Sequence, residues 1–161
     1  MENHLNNYFS GYCGLPNHLS VGAVVVRKDG KICCHHFEEK IGFKDIFILM
    51  RETINPGETI EDALKRGLTE EFNIEAKLID FLGSIQSQYK DRNFKLEKTT
   101  IYFLCEYLRD LDRPRDITDM EGDSIIEWLK PADLIKKMKD QFNRYGREDA
   151  DESKIIEKLL K

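Results

Sequence analysis

The sequence predicts an α+β domain, and three observations carry that prediction. The run from Leu19 to Val26 is β-branched and apolar, the pattern of a buried strand. Lys28-Asp29-Gly30-Lys31 follows it with Asp-Gly at its centre, a hairpin signal in place of a crossover helix. Ile60, Leu64 and Leu68 recur at i, i+4 spacing, which stacks them on one face of a helix. Strands joined by hairpins and interleaved with helices make a layered α+β fold rather than a regular βαβ alternation.

The elements follow in order. Residues 1–18 read as an irregular polar lead-in to a single domain over 19–161. After the first strand and its turn, a second strand runs from Ile32 to Phe37 and a third from Asp45 to Met50. Asn55-Pro56-Gly57-Glu58 is a turn, and Thr59 is the N-cap of a helix from Ile60 to about Phe72. Ala76 to Tyr89 reads as a strand interrupted at Gly83. Residues 90–95 read as a basic loop, and Thr99 to Leu108 as a strand. A charged loop over 109–123 contains Pro114. Ile125 to Leu129 is a short strand, and Pro131 opens a helix at a favourable first-turn position. Asp151 to Lys161 reads as a further amphipathic helix. Its Ile155, Ile156, Leu159 and Leu160 suit packing on the domain or a homodimer surface.

Composition excludes several classes. The chain has 161 residues, enough to bury a core without disulfide or metal staples. Its 40% apolar and 34% charged content is that of a folded protein, not a disordered one. A net charge of -5 excludes the basic face that nonspecific nucleic-acid binding needs. It is compatible with a polyphosphate ligand once divalent cations sit between the two. No run approaches the roughly 20 apolar residues of a membrane span, and the first residues lack a signal-peptide pattern, so a cytoplasmic protein is expected. Cys13, Cys33, Cys34 and Cys105 form no C-x-x-C pair and read as reduced thiols. Cys33-Cys34-His35-His36 looks metal-binding by composition. On a strand, however, only alternate members share a face, and a zinc site needs about four ligands.

The helix at 60–72 carries the chemistry. Glu71 falls on the apolar face with Leu68, and Glu70 and Gly67 lie at its flank. Carboxylates at the edge of a core are costly unless paired or bound to metal. Arg66 can pair with Glu70 across one turn. Alternatively, the oxygens gather as hard ligands for Mg²⁺. Helix pattern alone favours an ordinary solvated flank.

The segment from Gly57 to Ile74 resembles the Nudix box, Gly-x5-Glu-x7-Arg-Glu-U-x-Glu-Glu-x-Gly-U, where U is bulky and apolar. Glu58, Arg66, Leu68, Glu70, Glu71 and Ile74 fall in register. Four positions depart. The opening glycine is Glu52, preceded by Arg51. The glutamate after the arginine is Gly67, and the late glycine is Asn73, which also adopts a left-handed helix end. The likeness extends to Val21-Gly22-Ala23 in the first strand, to the aromatic strand Ile101-Tyr102-Phe103-Leu104, and to Glu121-Gly122 followed by Glu127-Trp128.

This resemblance implies an α/β/α sandwich with a mixed central sheet. It also implies hydrolysis of a pyrophosphate bond in a nucleoside diphosphate linked to another moiety, with Mg²⁺ or Mn²⁺ as cofactor. Glu70 and Glu71 are then metal ligands, Arg66 orients the carboxylates, and Glu58 braces the loop or Arg66 itself. Glu121 is the candidate ligand or base from the mobile loop, with Glu127 its competitor. Lys98 and Tyr102 match a pattern seen in members acting on dinucleoside polyphosphates or diphosphoinositol phosphates; with Arg51 they are the expected substrate contacts. Gly67 removes one carboxylate. Either Glu52 supplies it from outside the helix, or the domain binds a nucleotide or a protein without cleaving anything. The expected partner is a small diphosphate, not nucleic acid or membrane.

Overall fold

The structure is a computed structural model that describes residues 8–10, 16–40, 42–91, 94–115, 121–146 and 151–161. In chain order these form β1 (Tyr8–Ser10), β2 (Pro16–Val26), β3 (Ile32–Lys40), β4 (Phe43–Ile48) and β5 (Met50–Thr53). Helix α1 (Ile60–Gly67) passes directly into a π-helical turn (Leu68–Phe72). Then come β6 (Ile74–Asp91), β7 (Phe94–Asp110), β8 (Ile125–Leu129), α2 (Pro131–Tyr145), α3 (Ser153–Ile156) and a 3-10 turn (Glu157–Leu160). Among the described residues, no helix is long and apolar enough to cross a membrane.

The strands connect into one mixed sheet. β2 runs parallel to β7 and antiparallel to β5, and β6 is antiparallel to β7. On the other side of the β2–β3 hairpin, β3 pairs antiparallel with both β4 and β8. Strand alternation sends Val21, Ala23 and Val25 to one face, where they pack with Ala63, Leu64, Leu68 and Phe72 of α1 and its π turn. Val24, Ile32 and Cys34 face the opposite way, against Leu134 and Met138 of α2 and Ile155 and Ile156 of α3. The result is the expected α/β/α sandwich with a mixed central sheet.

Gly22 has a packing reason. It lies beside Tyr102 in the parallel register, and a Cβ there would meet the Tyr102 ring at 2.5 Å. The glycine lets that ring cross the strand into the α2 side of the core.

The elements match the sequence reading with these differences, besides the π turn that ends the helix expected over 60–72. The lead-in contributes β1, which pairs with residues 16–18 of β2. The strand expected over 45–50 is split at Leu49 into β4 and β5. The basic loop expected over 90–95 is mostly hairpin, because pairing continues to Lys90–Lys95 and Asp91–Phe94. The interruption at Gly83 appears instead as register shifts within β6. The C-terminal segment is a short helix and a 3-10 turn rather than one helix. Its Ile155 and Ile156 are buried in the core, while Leu160 is exposed. Cys33, Cys34 and Cys105 are free and buried, and burial pushes their thiols up. Cys13 lies outside the described residues.

Candidate active site

The site begins at the turn before α1. Glu58 donates its backbone N–H to the Asn55 carbonyl, and Gly57 takes φ +79° there. Thr59 caps the helix by accepting from the Asp62 N–H at 3.1 Å, as its residue type predicts. The Glu58 carboxylate accepts from the Asn55 N–H and from both Nε and Nη2 of Arg66 at 2.9 Å. Glu58 therefore braces the loop and the arginine together. The Arg66 guanidinium holds its carboxyl down to about 2.

Arg66 gathers the acids. Besides Glu58, its Nη2 donates to the Thr53 carbonyl at 2.8 Å, and its Nη1 lies 3.1 Å from Glu52 Oε1 and 3.6 Å from Glu70 Oε2. Glu52 reaches this cluster from β5. Burial pushes its carboxyl up, Arg66 offsets part of that, and the nearby charge of Glu70 adds to the rise. Two carboxylates thus crowd one side of a single guanidinium.

Gly67 explains how Glu52 gets there. A Cβ on residue 67 would lie 2.7 Å from the Glu52 Cβ, 2.7 Å from the Met50 Sδ and 3.3 Å from the Glu52 Cγ. The Glu52 side chain therefore fills the space that a side chain on residue 67 would need. Its carboxylate meets Arg66 Nη1, the same nitrogen that Glu70 approaches to 3.6 Å.

Past Gly67 the helix widens into the π turn, a feature frequently found at functional sites. This turn buries Leu68 and Phe72 and, with them, Glu71, which is 5% exposed. Asn73 ends it at φ +56°, the left-handed conformation its residue type allows. The Asn73 amide donates to the carbonyls of Leu111 and Arg113, tying the following loop to the helix end.

Glu71 does not stand alone in the core. Its Oε2 lies 2.8 Å from His35 Nε2, and His35 Nδ1 lies 2.7 Å from Ser124 Oγ. Burial, with help from Arg115, lowers the imidazole to about 3. Arg115 closes the group by donating to the backbone carbonyls of Glu71, Ser124 and Glu121 and to Ser124 Oγ. Glu121 opens a turn that ends at Ser124, whose N–H returns to the Glu121 carbonyl at 3.0 Å. Its competitor Glu127 is engaged elsewhere, 2.6 Å from His36 Nδ1 on the other face of β3. The alternation expected for Cys33 to His36 therefore holds, and His35 and His36 serve opposite faces.

The expected substrate contacts fall apart from this cluster. Tyr102 is 1% exposed, and its hydroxyl donates to Glu152 Oε1 at 2.5 Å. It is a core residue, with its ring and hydroxyl turned away from solvent. Arg51 Nε lies 3.7 Å from the same Glu152 oxygen. By strand alternation Arg51, Lys98 and Tyr102 share the α2 face of the sheet, opposite Glu52 and Met50. A groove of about 380 Å³ lined by Val26, Ile79, Leu104, Pro131 and Leu160 includes none of the acids and is not part of this site.

Sequence reading missed His35 as a partner of Glu71, together with Ser124, Arg115 and Glu152. The alternation in β3 could have placed His35 on the α1 face, but nothing local distinguishes Arg115 in its loop.

The donor set suits a hard divalent cation. Glu52, Glu70 and Glu71 are oxygen ligands of the kind Mg²⁺ and Mn²⁺ prefer, and the crowding of Glu52 by Glu70 is what such a cation would relieve. Among the described residues, no three such side chains converge at coordination distance; Arg66 and His35 hold them.

Comparison with known proteins decides the family. The NUDIX domain model matches residues 16–149. The chain belongs to the Nudix family. Solved structures share its fold. The E. coli ORF135 protein superposes with TM-score 0.59 at 17% identity, covering 93% of each chain. A NUDIX hydrolase from Nitrosomonas europaea gives 0.64 at 16% identity over 89% of this chain and 88% of that one. A MutT protein from Methanosarcina mazei Go1 gives 0.55 at 19% identity over 84% and 96%. Among curated proteins, no sequence matches. Nudix proteins are generally hydrolases that act on small molecules and use a divalent metal. In this Nudix chain the box arginine and three of the four box glutamates, Glu58, Glu70 and Glu71, are present, and the Glu52 side chain fills the space beside Gly67.

Proposed function

We propose that this Nudix domain hydrolyses a pyrophosphate bond in a nucleoside diphosphate linked to another moiety, with Mg²⁺ or Mn²⁺ as cofactor. One observation carries the reading: the Glu52 side chain occupies the space beside Gly67 and shares Arg66 with Glu70. On this reading Glu52, on its strand, supplies the carboxylate that Gly67 lacks, beside Glu70 on the same guanidinium. Glu52, Glu70 and Glu71 would hold the cation. When bound, it would neutralise the diphosphate and acidify a water molecule for attack at phosphorus.

The protein's own residues do the rest. Arg66 fixes Glu52, Glu58 and Glu70 relative to one another before substrate arrives, so little reorganisation is left for the reaction. His35 engages one Glu71 oxygen. Glu121, on the turn held by Arg115, is the acid available to position or deprotonate water.

The test is release of a nucleoside monophosphate or orthophosphate from a panel of dinucleoside polyphosphates, nucleotide sugars and nucleoside triphosphates with Mg²⁺ or Mn²⁺. Wild-type turnover, lost in both Glu52→Gln and Glu71→Gln, is the expected result. No turnover above these controls across the panel overturns hydrolysis. Thermal stabilisation by a panel member without turnover would assign the domain as a binding module instead.

A further inference from the structure

A buried chain of polar groups joins three parts of the fold that the sequence keeps far apart. It starts at Arg115 in the loop after β7, passes Ser124 at the base of β8 and His35 in the middle of β3, and ends at Glu71 in the π turn. The links are 2.7 Å from Arg115 Nη2 to Ser124 Oγ, 2.7 Å from Ser124 Oγ to His35 Nδ1, and 2.8 Å from His35 Nε2 to Glu71 Oε2. His35 is fully buried, and Ser124 and Glu71 are nearly so.

Hydrogen-bond counting gives the chain a direction. A carboxylate at Glu71 only accepts, so the facing His35 Nε2 must carry the single proton of a neutral ring. His35 Nδ1 then accepts; the donors in reach are the Ser124 hydroxyl at 2.7 Å, which has the Glu121 carbonyl as its other acceptor at 2.7 Å, and Arg115 Nη2 at 3.5 Å. Ser124 in turn accepts from the Arg115 guanidinium. The chain runs from a cation to an anion, with the Glu121 carbonyl as a further acceptor for both Ser124 and Arg115, and linked bonds of this kind strengthen one another in a low-dielectric interior. The same guanidinium also grips the backbone carbonyls of Glu71, Glu121 and Ser124. Glu71 is therefore joined to the turn over 121–124 through both its side chain and its backbone.

We propose that His35 is a positioning residue that couples the Glu71 carboxylate to the turn from Glu121 to Ser124, setting the acid of the helix and the acid of the loop as one unit. The inference rests on the reading that Glu71 serves a divalent cation, and it extends that reading to residues outside the Nudix box. Ser124 touches no acid side chain in the cluster, yet its hydroxyl becomes a determinant of cation binding through His35.

The experiment uses the full chain and two readouts that do not depend on turnover. Mn²⁺ affinity is measured by electron paramagnetic resonance, and hydrogen exchange is followed at the Ser124 amide. Ser124→Ala and His35→Phe should each weaken Mn²⁺ binding by roughly tenfold or more, the usual effect of losing a partner behind a metal ligand. The double variant should be no weaker than His35→Phe alone, because both break one chain. His35→Gln, with an amide donor in place of the ring N–H, should retain more affinity than His35→Phe. Exchange at Ser124 should rise about tenfold in His35→Phe and in Glu71→Ala, but not in Met138→Ala, which weakens the other core. Should His35→Phe fail to fold, Ser124→Ala carries the test.

Ser124→Ala binding Mn²⁺ within about twofold of wild type would overturn the coupling, as would additive effects or a matching loss in Met138→Ala. Absence of Mn²⁺ binding in the wild type would overturn the hydrolase reading instead. The coupling would then be judged by exchange alone, and an unchanged Ser124 amide in Glu71→Ala would sink it.

Discussion

Gly67 and Glu52 share one space: a methyl group on residue 67 would lie 2.7 Å from the Glu52 Cβ. The two positions are 15 residues apart on a helix and a strand, yet only one can carry a side chain in this packing. The Nudix box that the chain resembles has a glycine where this chain has Glu52 and a glutamate where it has Gly67. The two departures from the box therefore meet at one contact. Glu52 carries its carboxylate from the strand to Arg66 Nη1, 3.1 Å away.

This contact predicts a strong non-additivity. Gly67→Ala gains up to about 1 kcal/mol of helix propensity. It also forces the new Cβ into Glu52 and Met50, an overpacking that costs about 1–3 kcal/mol. Urea denaturation should show a net loss of stability. Glu52→Gly should relieve it, so that the double variant is more stable than the two single effects sum to. Gly67→Glu alone should not raise turnover, because the space is taken; paired with Glu52→Gly it should retain turnover. A Gly67→Glu protein that is both stable and faster than wild type would refute this sharing of space.

Glu52 also predicts a cation-linked stability. A ligand that binds only the folded state raises stability with its concentration. Mn²⁺ should raise the melting temperature of the wild type, and a chelator should reverse the effect. Glu52→Gln keeps the size and the hydrogen bonding of the side chain but removes its charge. It should lose most of the Mn²⁺ shift and lower turnover by about 10²-fold or more, the scale of removing one preorganised electrostatic contact. An unchanged Mn²⁺ shift would place the cation elsewhere.

Much of this arrangement was legible in the sequence. Turn chemistry at Asn55–Glu58, the Thr59 cap, the Asn73 helix end and the span of β8 are local signals, and each was met. Glu52 and Gly67 were legible as a pair of anomalies, because the box fixes register. What could not be read is contact between distant segments. His35 and Ser124 are 89 residues apart, and only the sheet brings β3 against β8. Tyr102 shows the converse. Its aromatic strand suggested a ligand contact, but the absence of a side chain at Gly22 draws the ring into the core. The π turn was also invisible, because the apolar spacing of Leu68 and Phe72 is the same i, i+4 step in an ordinary helix.

Arg66 predicts a titration. Its fork holds Glu58 through two hydrogen bonds, and this holds the Glu58 carboxyl down to about 2. A lysine offers a point charge and cannot reproduce that fork. In Arg66→Lys, carboxyl NMR should show Glu58 titrating upward toward 4.5, the ordinary value. Turnover should fall as well, because Glu52 and Glu70 lose their shared brace. Glu58 remaining near 2 in this variant would show that the loop N–H of Asn55, not Arg66, sets its acidity.

Glu152 predicts a pH dependence of stability. It is fully buried at the start of the C-terminal segment, where it accepts from the Leu49 N–H at 2.7 Å and from the Tyr102 hydroxyl. Burial pushes its carboxyl above the ordinary 4.5, with Arg51 opposing. The folded state therefore keeps this proton to higher pH than the unfolded chain does. The resulting stability is fully present below 4.5 and is lost as pH rises through the folded value. The slope is at most about 1.4 kcal/mol per pH unit for one proton. Glu152→Gln keeps one acceptor oxygen for the Leu49 N–H, turns an amide N–H toward the Tyr102 oxygen, and cannot titrate. The stability of wild type relative to Glu152→Gln should therefore fall between pH 4.5 and pH 8, measured by urea denaturation at each pH. Leu49 is the break between β4 and β5, and Glu52 lies three residues beyond it. The variant should thus leave Glu52 in place at both pH values, and its Mn²⁺ affinity should stay within about twofold of wild type. A pH-independent stability difference would mean that Arg51 holds Glu152 ionised throughout.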